Sequence, residues 1–344
     1  MIPISKPQMS VEELAAVTGV LESGQLAQGE QVAWFESAWA AVCQARECIA
    51  VTNGTVALQL MLQAYDFIPG GEVITSPFTF WGTIEAIISA GLTPVFVDID
   101  IDTYNLDPLE VKQAMTHKTV AILPVHLYGL QADMPALREI ADTYQVALLE
   151  DACQAHGLPL AGDAAAYSFY ATKNITTGGE GGAIVTDDAS LAERLRLLRN
   201  HYSRERYQHL GVGYNARMTE LQAAIGLQQI KKLRRFNAAR AENAAYYNEH
   251  IQVGIKPSGT PHVWHQYTLR VKERATFCQH LQAHGIGYGI YYPTPCHRQG
   301  YCRSERLLQY ADYAAAHVVS IPVHPGVTAK ERKFIVRTIN QFAE

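Results

Sequence analysis

The sequence predicts an α/β protein whose large domain is built on a mainly parallel sheet of seven strands. From about residue 46 to residue 186, short apolar segments alternate with segments of helical pattern, and this alternation is typical of parallel α/β sheets. The apolar segments are nearly continuous, as expected for strands that helices cover on both faces. The pattern changes after about residue 190, and a chain of 344 residues has room for a smaller second domain.

Each predicted strand is a short apolar segment that ends near polar or turn residues. The predicted strands are Cys48–Thr52, Glu72–Ser76, Pro94–Asp98, Val120–His126, Val146–Glu150, Ala165–Phe169 and Gly182–Thr186. Helices are predicted between several of them, at Val56–Tyr65, Gly82–Ala90 and Met134–Tyr144. Before the first strand, Ser10 and Glu13 form a capping-box pattern, which predicts the start of a helix.

After the last of these strands the elements change in length and order. A helix is predicted at Leu191–Arg199, and the polar residues 200–215 that follow are interpreted as a functional loop because they are too many for a plain connection. A long helix, with one break allowed, is predicted at Thr219–Glu249. The C-terminal part mixes strands and helices, at Val263–Val271, Ala275–His284, Ile286–Tyr291 and Thr328–Phe342. We therefore expect a large domain at residues 1–235, whose N-terminal segment can pack on the small domain, and a small α/β domain at residues 236–344.

Composition and charge exclude several classes of protein. The 28 basic and 33 acidic side chains give a net charge of −5, which argues against a nucleic-acid-binding protein. No run of about 18 apolar residues is present that would span a membrane, and residues 1–9 lack the apolar core of a signal peptide. The six cysteines, at positions 43, 48, 153, 278, 296 and 302, form no CxxC pair. We therefore expect no metal site, and free thiols in a cytoplasmic protein.

The first of three candidate motifs is Asn53-Gly54-Thr55, which lies between a predicted strand and a helix. Gly54 allows close approach of the backbone, and the amide groups that follow lie at a helix N-terminus, where a phosphate or another anion is favoured. The alternative is a plain turn from strand to helix, which so short a motif does not exclude.

The second motif contains Asp151, at the end of a buried strand. An acid in this position needs a cationic or hydrogen-bonding partner because a lone buried carboxylate is costly. Ligands of open α/β sheets bind at the carboxyl ends of the strands. The alternative is an aspartate that caps the following helix.

The third motif places Lys173 after a hydrophobic strand and before the glycine-rich residues 178–182. Partial desolvation at this position lowers the pKa of a lysine and frees its amine for Schiff-base chemistry. The alternative is an exposed lysine on a loop. The glycines match neither the P-loop nor the dinucleotide-binding fingerprint.

Together, the three motifs predict a site for pyridoxal 5'-phosphate. This cofactor requires a lysine that forms an imine, an acid that keeps the pyridine nitrogen protonated and a site for its phosphate group. The order along the chain agrees with this requirement, since the phosphate turn comes first, Asp151 second and Lys173 third.

The sequence closely resembles the DegT/StrS family of sugar aminotransferases that depend on pyridoxal phosphate. The residues that carry the resemblance extend over nearly the whole chain: Ser23-Gly24, Gly29, Phe35-Glu36, Asn53 to Leu58, Gly71 to Thr75, Thr79-Phe80, Pro94 to Asp98, Pro124 to Gly129, Glu150 to Gly157, Ser168-Phe169, Lys173-Asn174, Gly179 to Gly182, Gly213 to Met218 and Gln222 to Ala224. The resemblance implies fold type I, the architecture of aspartate aminotransferase.

The resemblance also implies a role for each matching residue. Lys173, as the Schiff-base lysine, and Asp151, as the partner of the pyridine nitrogen, are the implied catalytic residues. The other implied cofactor-binding residues are Gln154 at the phenolic oxygen, Phe80 stacked on the ring, Gly54, Thr55 and Ser168 at the phosphate, and Asn215 reaching the phosphate from the partner subunit. The active site is then shared across a homodimer.

Substrate binding is expected to need local cations because both implied substrates are anions and the net charge gives no general attraction. Arg217 can clamp a carboxylate with two parallel hydrogen bonds. Arg204 and Arg206, in the polar loop, are candidates for the diphosphate, and His297 resembles a family position near the sugar. The alternative for Arg217 is a structural ion pair with Glu220.

The implied reaction is transfer of an amino group, with L-glutamate expected as the donor, to a keto sugar carried on a nucleoside diphosphate. Pyridoxamine phosphate is the expected intermediate form of the cofactor, and the product is an amino sugar for polysaccharide or secondary-metabolite biosynthesis. A keto-cyclitol is the alternative acceptor. Sugar dehydratases of the same family have histidine where this chain has Lys173, and a non-enzymatic regulator on the same scaffold is a further alternative.

Overall fold

The computed structural model describes residues 1–302 and 306–342. Its strands are β1 (Glu47–Val51), β2 (Glu72–Thr75), β3 (Thr93–Phe96), β4 (Thr119–Leu123), β5 (Ala147–Asp151), β6 (Ala164–Ser168), β7 (Gly182–Thr186), β8 (Ser203–Glu205), β9 (Gln208–His209), β10 (Tyr267–Arg270) and β11 (Val318–Ile321). The first seven of them confirm the predicted strands, with ends displaced by a few residues at most.

Helices connect most of these strands. They are α1 (Val11–Ser23), α2 (Glu30–Cys43), α3 (Gly54–Ala64), α4 (Trp81–Ser89), α5 (Pro108–Ala114), α6 (Met134–Tyr144), α7 (Ala189–Arg199), α8 (Glu220–His250), α9 (Arg274–Ala283), α10 (Gln309–His317) and α11 (Ala329–Asn340). Among the described residues, none of the helices is both long and apolar enough to cross a membrane.

The main sheet has the order β1-β7-β6-β5-β4-β2-β3. Strands β3, β2, β4, β5 and β6 pair in parallel, and β7 pairs antiparallel with both β6 and β1. The sheet is therefore mainly parallel, as predicted, and β7 alone runs against the others. The carboxyl ends of β1, β5 and β6 consequently lie at the same edge, which is where α/β sheets bind ligands.

Apolar cores cover both faces of this sheet. Along β1, Ile49 and Val51 pack into one core with helix α3, and Cys48 and Ala50 pack into another with α2 and α8. This alternation follows from the two-residue period of a strand. Burial on both faces explains why the strands are nearly continuous apolar segments.

A separate core holds the C-terminal part together. It contains Tyr267, Leu269, Phe277 and Ile335, and Ile2 from the chain's N-terminus packs into it. The division of the chain after residue 235 falls inside the continuous helix α8 and stays a prediction. Residues 303–305 and 343–344 of the predicted small domain lie outside the described residues.

Two C-terminal predictions need correction. The predicted strand at Ile286–Tyr291 is wrong, because this segment makes only single bridges, from Ile286 to Ile2 and from Gly289 to Ser320. Its backbone already lies so close to the N-terminal segment that a Cβ on Gly287 would be 2.8 Å from the amide nitrogen of Ile4. The partner of β10 is instead β11, which follows α10 without a break and was not predicted.

The other differences concern helices and the polar loop. Helices α2, α5 and α10 were not predicted, and the long helix α8 is unbroken over its 31 residues. A capping box of Thr219 and Gln222 begins that helix, which fixes its start. The segment predicted as a loop, residues 200–215, contains the short antiparallel pair of β8 and β9.

Candidate active site

A cavity of about 530 Å³ opens at the carboxyl edge of the main sheet. The turns after β1, β5 and β6 and the first turn of α4 form most of its wall, and His265, Gln266, Tyr291 and Tyr292 from the C-terminal part complete it. The cavity brings together predicted site residues from four parts of the chain: Gly54, Thr55, Phe80, Asp151, Gln154, Ser168 and Lys173.

The turn after β1 forms an anion cradle. The Asn53 side chain caps α3 by accepting a hydrogen bond from the amide of Val56 at 2.9 Å. Gly54 is buried at the helix start, and a Cβ there would lie 2.6 Å from the Cβ of Ser168. Only glycine permits this approach, which brings the hydroxyl of Ser168 and that of Thr55 to the helix N-terminus. Free amide groups and two hydroxyls at a helix N-terminus suit a phosphate.

Asp151 ends β5 with its carboxylate buried to 4% exposure. Its Oδ2 accepts a hydrogen bond from Thr83 Oγ1 at 2.7 Å, and its Oδ1 accepts one from the amide of Cys153 at 3.1 Å. The two bonds, one to each oxygen, fix the orientation of the carboxylate. The carboxylate lines the cavity, so a cationic nitrogen of a ligand can pair with it there.

Gln154 is held in one orientation by two hydrogen bonds. Its Oε1 accepts from the amide of Tyr128 at 2.7 Å, and its Nε2 donates to the hydroxyl of Tyr292 at 3.3 Å. The amide NH2 group therefore faces the part of the cavity that Tyr292 closes. Such a donor suits an oxygen on an aromatic cofactor ring.

Lys173 lies on the loop after β6 and is partly buried. Burial lowers the pKa of its amine, while nearby Cys153 and Asp151 act in the opposite direction. Among the described residues the amine has no hydrogen bond or ion-pair partner in the protein. Gly178 and Gly179, with φ of 94° and 138°, turn the chain back toward β7, and the Ala171 amide bonds the carbonyl of Gly179 at 3.0 Å. This turn presents Lys173 to the cavity.

Phe80 forms an aromatic wall of the cavity. It precedes α4 as its N-cap residue and is 59% exposed. Its ring centroid lies 6.0 Å from that of Tyr292. An exposed ring at a cavity wall is a surface on which a flat ligand can stack.

Several residues of the site were not found from the sequence. Thr83 bonds Asp151, Tyr292 bonds Gln154, and His265 lines the cavity with its Nδ1 3.1 Å from Asn174 Oδ1. Burial holds the pKa of His265 well below its ordinary value, so the ring is neutral. Thr79 and Thr83 are four residues apart at the start of a helix, and this spacing is a sequence signal by which Thr83 could be identified.

Asn215 and Arg217 do not line the cavity. Arg217 Nε donates to Asn215 Oδ1 at 3.1 Å, and Arg217 bridges Val51 at the end of β1. The alternative pair of Arg217 with Glu220 is not formed. Glu220 instead accepts hydrogen bonds from backbone amides around the start of α2, including Gly29 at 2.9 Å.

The other predicted substrate residues also do not line the cavity. Arg204 forms an ion pair with Glu193 at 2.6 Å, and Arg206 stacks over the ring of Tyr207. His297 is fully buried, with its Nε2 3.4 Å from Asp312 Oδ1. Arg204 and Arg206 are exposed, and the substrate roles of all three residues stay predictions.

A lysine, a buried acid and a phosphate cradle at the carboxyl edge of a mainly parallel sheet define an enzyme of the pyridoxal-phosphate class. Residues 7–340 match the DegT/DnrJ/EryC1/StrS aminotransferase family. The chain belongs to this family and is an aminotransferase that depends on pyridoxal phosphate. The family, enzyme class and cofactor predicted from the sequence are thus confirmed.

Three relatives show the range of names in the family. The dTDP-3-amino-3,6-dideoxy-α-D-galactopyranose transaminase of Aneurinibacillus thermoaerophilus is 41% identical over 95% of this chain and 94% of its own. The UDP-2-acetamido-2-deoxy-3-oxo-D-glucuronate aminotransferase of Pseudomonas aeruginosa is 38% identical over 93% of each chain. A protein of Geobacillus stearothermophilus named a pleiotropic regulatory protein is 38% identical over 97% of this chain and 95% of its own.

Solved structures confirm the fold. The crystal structure of DesV from S. venezuelae, in complex with a ketimine intermediate, superposes with a TM-score of 0.93 at 37% identity, over 97% of this chain and 95% of that one. NtdA from Bacillus subtilis, with bound pyridoxamine phosphate, gives a TM-score of 0.92 at 31% identity, over 96% of this chain and 80% of that one.

Proposed function

We propose that this enzyme transfers the amino group of L-glutamate to the 3-keto group of a sugar carried on a nucleoside diphosphate. The cavity with Lys173 at its wall is the observation that carries the proposal. Two relatives that match nearly the whole chain are named for a 3-amino or a 3-oxo sugar on dTDP or UDP. Their names support dTDP or UDP as the nucleotide and carbon 3 of the sugar as the position of the ketone.

The residues around the cavity fit the cofactor group by group. The phosphate would be held by Gly54, Thr55 and Ser168. A Cβ on Gly54 would lie directly against Ser168, so glycine keeps this space open. Asp151 would hold the ring nitrogen and Gln154 the phenolic oxygen. Phe80 would stack on the ring. When bound, pyridoxal phosphate supplies an electron-withdrawing ring that stabilises negative charge on the substrate carbon.

Lys173 is proposed to move the proton of the reaction. Its lowered pKa leaves a larger neutral fraction near neutral pH than an exposed lysine has, and a neutral amine acts as a general base. After the proton is taken up, the same side chain is a general acid for its return.

Asp151 is proposed to hold the ring nitrogen with its carboxylate. Two hydrogen bonds to that carboxylate, from Thr83 and from the amide of Cys153, fix its orientation. A fixed negative charge at the carboxylate keeps a ring nitrogen beside it protonated. Gln154, fixed by Tyr128 and Tyr292, positions the other side of the ring.

A homodimer is proposed to complete the site. Apolar side chains are exposed on the segment that precedes Asn215, among them Val212 at 88% exposure. Exposed apolar groups of this kind mark a surface that is covered in an assembly. Asn215 does not line the cavity of its own chain, which agrees with a role at the phosphate of a partner's site.

Hybrid dimers test the shared site. Lys173→Ala and Asn215→Ala are each expected to be inactive as homodimers. In a mixed dimer, one of the two sites receives both intact residues if Asn215 acts across the interface. Mixing the variants after mild unfolding should therefore restore activity, and no recovery in a confirmed mixed dimer would place Asn215 in its own subunit's site.

Arg217 is proposed to bind the glutamate carboxylate, because it lies at the end of β1 beside the phosphate cradle. We propose Arg204, Arg206 and His297 as residues of the sugar-nucleotide region. We propose a cytoplasmic location, which the six free thiols support, because a reducing compartment maintains this form.

An amination assay identifies the substrate. The purified enzyme, loaded with pyridoxal phosphate and given L-glutamate, is incubated with 3-keto and 4-keto sugars on dTDP and UDP and with keto-inositols, and products are detected by mass. We expect the mass of the amine from a 3-keto sugar nucleotide. Product from the keto-inositols alone would identify a cyclitol enzyme, and bleaching of the yellow enzyme by glutamate checks the donor half-reaction.

A further inference from the structure

Asp151 is bonded to a buried threonine that is not among the residues assigned to the site from the sequence. Thr83 Oγ1 lies 2.7 Å from Asp151 Oδ2, and Thr79 Oγ1 lies 2.9 Å from Thr83 Oγ1. The three side chains are at most 4% exposed, and all three line the cavity. The hydroxyl pair therefore lies in the cavity wall, directly beside the acid that we propose for the ring nitrogen.

The direction of these hydrogen bonds follows from the chemistry of the groups. An ionised carboxylate only accepts, so the single proton of Thr83 points to Asp151. The oxygen of Thr83 is then the acceptor for the proton of Thr79. The chain of donors runs from Thr79 through Thr83 to the carboxylate, and each bond strengthens the next.

The start of α4 explains why these hydroxyls lie together. Phe80 is the N-cap residue of that helix, Thr83 lies in its first turn, and Thr79 directly precedes the cap. The two threonines are four residues apart and so lie on the same side of the turn. The same turn carries the aromatic wall of the cavity, which couples the position of Phe80 to that of the acid.

We propose that Thr83, supported by Thr79, is a positioning residue that fixes the rotamer of the Asp151 carboxylate. The titratable groups that face it are Lys173, Cys153 and Tyr292. The hydroxyl chain therefore supplies the side-chain hydrogen bond that orients this acid. The inference rests on the proposed role of Asp151 toward the bound cofactor.

The test compares Thr83→Val, Thr83→Ser, Thr79→Val and Asp151→Asn as holoenzymes. Three quantities are measured: the dissociation constant of pyridoxal phosphate, the pH midpoint of the visible absorbance of the bound cofactor, and kcat and KM for glutamate. Loss of a hydrogen bond to a charged group should raise the dissociation constant and lower kcat about tenfold or more in Thr83→Val, with KM little changed.

The pH midpoint separates a positioning role from a structural one. In Thr83→Val the midpoint should move toward the value of Asp151→Asn. In Thr83→Ser the midpoint should stay near that of the unsubstituted enzyme. In Thr79→Val the midpoint should move in the same direction as in Thr83→Val, but less. Thr75→Val is the matched control. The buried Thr75 bonds the Leu123 carbonyl at 2.8 Å, so its loss should lower thermal stability without moving the midpoint.

The outcomes are distinguishable. An unchanged midpoint and dissociation constant in Thr83→Val, beside a clear shift in Asp151→Asn, would overturn the proposal and leave the role of Asp151 intact. An unchanged midpoint in Asp151→Asn would overturn both. If Thr83→Val does not fold, Thr79→Val tests the proposal instead. An unshifted midpoint in Thr79→Val would contradict the proposed chain of hydrogen-bond donors.

Discussion

Gln154 and Tyr292 join the large sheet to the C-terminal part of the chain across the active-site cavity. Gln154 Nε2 donates to the Tyr292 hydroxyl at 3.3 Å, and both side chains line the cavity. Burial raises the pKa of Tyr292, with a further contribution from the charge of Asp151. The phenol therefore stays protonated and accepts a hydrogen bond through its oxygen.

Substitution Tyr292→Phe removes the acceptor that fixes the Gln154 amide. A neutral hydrogen bond contributes about 0.5–1.5 kcal/mol, so we expect a roughly two- to tenfold decrease in kcat/KM for glutamate at unchanged cofactor content. Tyr247→Phe is the control, because its hydroxyl bonds the Pro322 carbonyl inside the C-terminal core at 2.8 Å. Equal activity losses in the two variants would show that only packing was disturbed.

Arg217→Lys should weaken binding of one anionic substrate. Loss of a bidentate charged contact costs about 1.5–3 kcal/mol, which corresponds to roughly a ten- to hundredfold increase in KM for glutamate or for the sugar nucleotide. Cofactor absorbance should be normal. Arg138→Lys, at an arginine paired with Asp163, is the control. A change in thermal stability with both KM values unaltered would make Arg217 a structural residue.

Glu220→Gln should lower the stability of the fold rather than affect the catalysed reaction. Glu220 accepts amide hydrogen bonds from Gly29 and Val32 through Oε1 and from Gln31 through Oε2. In glutamine one of these atoms becomes a donor that faces an N–H group, so we expect a loss of ~1–3 kcal/mol. The midpoint of thermal unfolding measures it. Glu22→Gln, at an exposed position, should leave the midpoint within error.

The lowered pKa of Lys173 predicts a pH dependence of cofactor capture. Only the neutral amine attacks the cofactor carbonyl, and burial favours the neutral form. The rate at which the apoenzyme binds pyridoxal phosphate covalently should therefore rise with pH through a midpoint below the ordinary lysine value of about 10.4. Stopped-flow absorbance measures this rate. A midpoint at or above the ordinary value would contradict the burial of the amine.

The sequence predicted those parts of the structure that depend on residues close together in the chain. Apart from the edge strand β3, the strands β1 to β7 are mostly buried, so each is a nearly continuous apolar segment. Asp151 ends such a strand, Gly54 and Lys173 follow one, and the parallel arrangement of β1, β5 and β6 brings these residues to one edge.

The parts that the sequence could not predict depend on distant segments. Tyr292 reaches Gln154 only after the C-terminal part folds onto the sheet, and no local pattern marks it. His297 illustrates the same limit. Tyr291 and Tyr292 line the cavity, but the chain then turns inward, and the Cys296 amide bonds the carbonyl of Pro77 at 2.7 Å. His297 is buried against Phe96 as a result.

Reduction of the holoenzyme with borohydride, followed by peptide mass analysis, tests the central claim most directly. The account predicts that the reduced cofactor is attached to the peptide that contains Lys173. It also predicts that Lys173→Ala takes up no covalent label and loses at least ~10³-fold in turnover, because the covalent and acid–base roles vanish together. Attachment of the cofactor to any other lysine would contradict the assignment of the active site.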